Sequence, residues 1–200
     1  YSMTKPVAAV ALMMLYERGL FQLDEPIAKY LPEFKDVRVL KTLKSPLTET
    51  VPADRPPTIH DLMRHTAGLG HGWGDDAVNT EYRKQDIFGN DVTMKAMSEK
   101  IGRIPLLFQP GTMFNYAVGA DVEARLVEVL SGKPCDVFLN DELFKPLGMT
   151  STGFWVDPSR ISRLATVYCR KDDKLVPLDQ AHGSPPNGGF LTEPWSVNSY

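Results

Sequence analysis

The sequence predicts an α/β chain: a mostly helical region over residues 20–150, opened by a further helix, then a return to strand over 151–200. Three observations carry this. The first is the apolar run Val7 to Leu15, about two and a half helical turns, followed by the stop residue Gly19. The second is the amphipathic stretch from Gly119 to Leu130, stopped in the same way by Gly132. The third is a change of period near the end, where Leu164, Thr166 and Tyr168 alternate before Leu175 and Val176.

The elements follow in order. A helix is expected from about Met3 to Arg18, with Pro6 tolerated in its first turn. Asp24 is expected to cap a short helix that starts at Glu25-Pro26 and ends near Leu31-Pro32. Val37-Arg38-Val39 reads as a brief strand, and the proline-rich stretch from Lys41 to Pro57 as an extended surface loop. Thr58, with Asp61 three residues on, opens a helix as a near capping box, and Leu62 and Met63 should face inward. Gly70 to Asp76 is too glycine-rich for regular structure and is expected to be a mobile loop. His65 and His71 are read as a C-terminal cap and a loop side chain in preference to general bases.

Asn90 to Ile104 carries a helical pattern, and Pro105 to Phe108 runs extended into a type II turn at Gln109-Pro110-Gly111-Thr112. After the helix at Gly119 another is expected from Pro134 to Phe144. Lys171 to Lys174 forms the turn of a hairpin, and Thr192 caps a last element before Glu193-Pro194.

Composition narrows the function classes. At 42% hydrophobic residues the chain can bury one sizeable core, and the domain reading is that residues 1–200 are part of a single domain. A net charge of −3 without a basic stripe argues against nucleic acid as partner. No apolar run reaches the roughly 18 residues of a membrane-spanning helix. The two cysteines form no CxxC and the four histidines no HExxH pair, so neither metal nor cofactor is expected. The chain opens on Tyr1 and its most suggestive motif touches that residue. It is therefore expected to be a fragment of a longer protein, and compartment and oligomeric state stay open.

That motif is Ser2-Met3-Thr4-Lys5. A serine and a lysine three apart at a helix start stand on one face, beside unpaired backbone N–H groups. The serine hydroxyl becomes a nucleophile when a neighbour takes its proton, and an amine does so once desolvation lowers its affinity for its own. The apolar wall behind Lys5 would supply that desolvation. Yet a Ser-x-x-Lys spacing arises about once by chance in a chain of this length. On spacing alone, Ser2 as a helix cap and Lys5 as a solvated first-turn residue remain open.

Context raises the motif. Ser2 to Lys5, the passage from Gly19 to Ile27, Tyr30-Leu31-Pro32-Glu33-Phe34, the run Thr58 to Leu69, Gln109-Pro110-Gly111-Thr112, Tyr116, and Phe144 to Met149 come in that order. Together they resemble the serine β-lactamase-like superfamily, closest to the class C-like family VIII carboxylesterases, from Tyr1 to about Val156 and again at Gly188-Gly189. The resemblance implies a β-lactamase-like fold, a helical region plus an antiparallel sheet flanked by helices, here incomplete at both ends. It implies a small-molecule ester as substrate and Ser2 as acylated nucleophile. It also implies that Lys5 and Tyr116 share the serine's proton, and that the Ser2 N–H is one oxyanion donor. Without the resemblance, Tyr116 reads as a half-buried strand tyrosine with its hydroxyl at the surface.

Two departures matter. The family's tyrosine motif ends in Asn two residues on, where this chain has Val118. Loss of that amide fits esterases better than β-lactamases. The family's third motif, a Lys-Thr-Gly or His-x-Gly strand with the second oxyanion donor, has no match in these residues, and Gln180 to Asn187 departs from the expected glycine run. Ester hydrolysis through an acyl-enzyme is the leading reading. Its rivals are β-lactam or D-Ala-peptide turnover and a non-catalytic binding or regulatory protein on the same fold. The loops 41–57 and 68–74 are expected to shape access to the pocket.

Overall fold

The computed structural model describes residues 2–89 and 92–177. These divide into two compact units, meeting at residues 150 and 151. The readings at Asn90, Gln180 to Asn187, Gly188-Gly189 and Thr192 lie outside the described residues.

In the first unit, α1 (Thr4–Glu17) buries Ala8, Ala11, Leu12 and Leu15 and ends at Gly19, whose φ is 72°. It packs most extensively on α5 (Gly119–Ser131), which is stopped by left-handed Gly132. Small residues, Ala8 and Ala11 on α1 and Gly119, Ala120 and Ala124 on α5, are among those the two helices bury. Around α5 sit α2 (Ile59–Met63), α4 (Met94–Gly102) and α6 (Cys135–Leu139). α6 runs on into a π-helical turn, Asn140–Phe144, within the stretch expected to be helical.

Several expectations are corrected. The helix placed at Glu25 is instead two 3₁₀ turns, Ile27–Lys29 and Pro32–Phe34, and Asp24 caps neither. The backbone here bonds across the chain: Ile27 N–H donates to Pro57 O, Ile59 N–H to Glu25 O and His60 N–H to Leu23 O. Prolines 26 and 32 offer no N–H for a longer helix. The stretch 41–57 is not all loop, because β2 (Thr50–Pro52) pairs antiparallel with β1 (Arg38–Leu40), Val39 opposite Val51. Its three residues end on an edge proline, which hides the strand from composition. Helix α3 (Ala77–Lys84), capped by Asp76, was not foreseen. α4 begins behind the Thr93 cap, later than periodicity suggested. On α2, Leu62 is buried and Met63 only partly so, while Asp61 is buried.

The extended segment before the Pro-Gly turn lies on the other side of β1. Leu106 N–H donates to Arg38 O, Leu40 N–H to Leu106 O, and Leu107 N–H to Gly68 O. Gly68 has φ 82°, and a Cβ there would stand 2.4 Å from Phe108 O. Gly68→Ala should therefore cost at least about 2 kcal/mol, from left-handed strain and the clash together. A denaturant midpoint within error of the parent would contradict this packing.

In the second unit, Asp157 caps a 3₁₀ helix, Pro158–Arg163, which precedes a hairpin of β3 (Tyr168–Lys171) and β4 (Lys174–Pro177). Asp172 and Asp173, at φ 49° and 61°, make its two-residue turn, as the primed turns of tight hairpins require. Leu164 and Thr166 fall before the strand.

Candidate functional site

The site starts from the first turn of α1. Ser2 lies in the turn just before the helix, and Lys5 N–H donates to Ser2 O at 3.3 Å. The residue at the cap position is Met3, and no side chain caps this end, so Ser2 is not a helix cap. Its hydroxyl points elsewhere. Ser2 Oγ is 3.0 Å from Tyr116 Oη, across 114 residues of sequence. Lys5 Nζ stands 4.8 Å from the centre of the Tyr116 ring. The three residues singled out by sequence are thus together at one exposed spot.

Tyr116 is held there by the end of α2. That helix closes with His65 in the left-handed region (φ 57°), its N–H donating to Leu62 O and the N–H of Thr66 to Asp61 O. This is the Schellman pattern, with a histidine where glycine is usual. The turn leaves His65 able to serve the chain on both sides of Tyr116. His65 O accepts from Asn115 N–H at 2.8 Å, and His65 Nδ1 accepts from Ala117 N–H at 3.3 Å. Val118 N–H donates to Gly70 O, and Asn115 Nδ2 donates to Leu69 O. The His65 ring stacks at 4.9 Å on that of Tyr116. His65 is a cap, as read from sequence, and also the template for the tyrosine.

Asp61 anchors this template. Its side chain is 1% exposed, and both arms of Arg55 donate to it, as do Arg64, Thr66 and both the N–H and hydroxyl of Thr58. Thr58 Oγ1 in turn accepts from Asp61 N–H, completing the capping box. Beyond it, Gly111 N–H donates to Thr66 O, fixing the type II turn that leads into Tyr116. The glycine-rich loop is tied down: Asn79 Oδ1 accepts from His71 N–H and Gly72 N–H, and Arg83 donates to the Gly72 and Gly74 carbonyls.

Charge shapes the chemistry. The Lys5 ammonium first, then the bond to Ser2, draws the Tyr116 phenol below the usual tyrosine range. Once ionised, a phenol so biased can accept the proton of a hydroxyl 3.0 Å away, and the neighbouring cation favours that ionised form. Burial first, then the Lys5 charge, keeps the His65 imidazole neutral to lower pH than a free histidine. With Nδ1 already accepting, His65 is no base for Ser2.

One group near the site escaped sequence reading. Glu123 on α5 is 4% exposed, and burial, then Asp121, pushes its carboxyl up to about 7 against the opposing pull of Lys5. The signal was present: Gly119, Val122, Glu123, Leu126 and Val127 share the buried face of an amphipathic helix, where a glutamate is out of place.

Comparison with known proteins identifies the family. A model of the Beta-lactamase family matches residues 1–192. Protein Rv1367c of Mycobacterium tuberculosis is 35% identical over 205 residues, covering 98% of this chain and 49% of its own length. Esterase EstB of Burkholderia gladioli is 32% identical over 195 residues, 92% of this chain and 46% of its own. Among solved structures, EstCE1, described as a hydrolase with promiscuous acyltransferase activity, superposes with a TM-score of 0.72 at 26% identity. That match covers 88% of this chain and 43% of EstCE1. The chain spans about half the length of the curated relatives it matches.

Proposed function

Since the chain belongs to the Beta-lactamase family, we propose that it forms part of a serine hydrolase that cleaves carboxylic esters through an acyl-enzyme on Ser2. The observation that carries the reading is the Ser2 Oγ to Tyr116 Oη distance of 3.0 Å beneath the Lys5 ammonium. In the first step Ser2 Oγ attacks the ester carbonyl carbon as Tyr116, in its phenolate form beside the Lys5 ammonium, takes its proton and becomes the neutral phenol. The Ser2 N–H receives part of the negative charge on the carbonyl oxygen. As the C–O bond to the alcohol breaks, the proton passes from Tyr116 to the departing alkoxide. Water then repeats the sequence on the acyl-enzyme, with Tyr116 as base, releasing the acid and restoring the hydroxyl.

The ester class is favoured over β-lactams by Val118, which offers no amide where β-lactamases carry Asn, and by the esterase among the relatives. Acyl transfer is the same chemistry with an alcohol in place of water, and the activity described for EstCE1 makes it a natural second outcome.

The test is intact mass after treatment with a fluorophosphonate. One adduct on the parent and none on Ser2→Ala is the expected result. A folded parent that takes no adduct would overturn the proposal and leave the fold to a binding or regulatory role.

A further inference from the structure

We propose that His65 is a positioning residue for Tyr116 that works only as the neutral imidazole: Nδ1 pins the Ala117 N–H, and a proton on Nδ1 releases it. Its bearing on turnover rests on the acyl-enzyme reading of Ser2 and Tyr116; the pin itself does not. At φ 57° His65 occupies a left-handed position that glycine fills without steric cost, and other residues held in such conformations gather at functional sites. What the side chain adds there is a set of contacts centred on one ring. Nδ1 accepts from Ala117 N–H at 3.3 Å, the ring lies against that of Tyr116 at 4.9 Å, and Phe114 stands edge-on to it at 5.9 Å. With its carbonyl taking the Asn115 N–H, His65 holds both chain neighbours of Tyr116.

An imidazole nitrogen accepts a hydrogen bond only while it carries no proton. Because Nδ1 is the acceptor, the neutral ring carries its hydrogen on Nε2. Protonation puts an N–H on Nδ1 facing the Ala117 N–H, donor against donor, and the bond is lost. The bonds from Asn115 N–H to His65 O and from Val118 N–H to Gly70 O remain. Tyr116 and Ala117 then shift between two fixed points, and what they lose is the 3.0 Å approach to Ser2 Oγ.

The groups around the ring set the pH at which this occurs. Burial, then the Lys5 charge on α1, hold the imidazole neutral to lower pH than a free histidine. On α2, Asp61 is engaged by Arg55 and Arg64, and His60 is exposed. On the glycine-rich loop, His71 stacks on Trp73 and accepts its N–H. Helix α5 begins beside the ring, where a Cβ at Gly119 would stand 3.6 Å from Nδ1, and it carries Asp121 and Glu123. Glu123 titrates at about 7 whatever occupies position 65, so a difference between variants there reports on His65.

Asparagine is the discriminating replacement. It tolerates the left-handed position, its Oδ1 hangs from Cγ as Nδ1 does, and it does not titrate. The first measurement needs no turnover and follows the Ala117 amide proton by NMR. In the parent it should move upfield as the ring is protonated, at a midpoint below the ordinary histidine value of about 6.5. In His65→Asn it should stay put across that range. An Ala117 amide that ignores the ring, or moves alike in both proteins, overturns the proposal. The second measurement is log kcat/KM against pH for p-nitrophenyl acetate. Below the midpoint the parent's acid limb should steepen from slope one to slope two, about tenfold more lost per pH unit, while His65→Asn keeps slope one. A slope of one throughout in the parent, or the same steepening in both, would reduce His65 to a helix cap and overturn the proposal. His65→Gly suits the backbone but has no acceptor, so it should lose about tenfold or more in kcat at pH 8. A folded glycine variant with the parent's kcat would overturn the proposal too. If the parent fails to turn over esters while Ala117 follows the ring, the hydrolase reading falls and the pin stands.

Discussion

Tyr116→Phe should lower kcat/KM for p-nitrophenyl acetate by about 10²–10⁴-fold, the usual worth of a positioned acid–base group. The substitution removes one oxygen and leaves the ring. That ring stacks on His65 at 4.9 Å and lies 4.8 Å from Lys5 Nζ, contacts that phenylalanine keeps. The backbone on either side is pinned by His65 through Asn115 and Ala117, which the change does not touch. Folding stability should therefore stay within about 0.5 kcal/mol of the parent, as for surface changes away from buried networks. What is lost is the acceptor 3.0 Å from Ser2 Oγ. The effect should fall on kcat, because the proton moves only as the transition state is reached.

The pH profile adds a sign. Lys5, and then Ser2, lower the affinity of the phenol for its proton, so activity should rise with pH through a limb below the ordinary tyrosine range. Tyr116 is 40% exposed, so salt should weaken the Lys5 effect and move that limb upward. A loss under about tenfold would assign the proton to Lys5 alone and reduce Tyr116 to a wall of the site.

How legible the molecule was depends on the range of the interaction. The ends of α1 and α5 were readable because a glycine in the left-handed region follows each apolar run, a purely local device. The capping box at Thr58 and the Pro-Gly turn at Gln109 are local too, and both stand as read. The misses have a common cause. β2 exists because Val51 meets Val39, and the 3₁₀ turns after Glu25 because their backbone bonds to residues 57–60. No window of neighbours contains those partners. Within the site, the resemblance supplied Ser2, Lys5 and Tyr116 as residues, but not why Tyr116 sits where it does. That reason lies in His65, whose carbonyl and Nδ1 bracket the tyrosine from 50 residues away or more. Glu123 was concealed differently: helical periodicity marks it as out of place, but only burial shows that its charge has nowhere to go.

Asp61→Ala should cost about 3–5 kcal/mol, the range for breaking a buried, hydrogen-bonded charge pair. Marginally stable domains hold only about 5–15 kcal/mol in all. The loss has separable parts. The capping box disappears, worth about 1 kcal/mol by itself. The Thr58 N–H and hydroxyl and the Thr66 hydroxyl lose their acceptor inside the protein. Two arginines lose their partner, but at 41% and 46% exposed they can turn to water. Arg55→Ala should accordingly cost less, because Arg64, Thr58 and Thr66 still satisfy the carboxylate.

The pH dependence distinguishes charge from shape. Burial alone would push the Asp61 carboxyl up, but Arg55, then Thr58 and Arg64, outweigh it and hold it well below the usual carboxylate range. A group whose folded state binds its proton less tightly stabilises at all pH above the unfolded value and loses that contribution in acid. The gap between parent and Asp61→Ala in urea unfolding should thus be full at pH 7 and narrow as pH falls below about 4. The damage should also travel. Thr66 O holds Gly111 and His65 holds Asn115 and Ala117, so amide exchange at these three positions should quicken before the rest of the unit opens. A stability loss under about 1 kcal/mol, or one equal at pH 3 and pH 7, would mean that the Asp61 cluster is a surface ornament and that Tyr116 is held by other means.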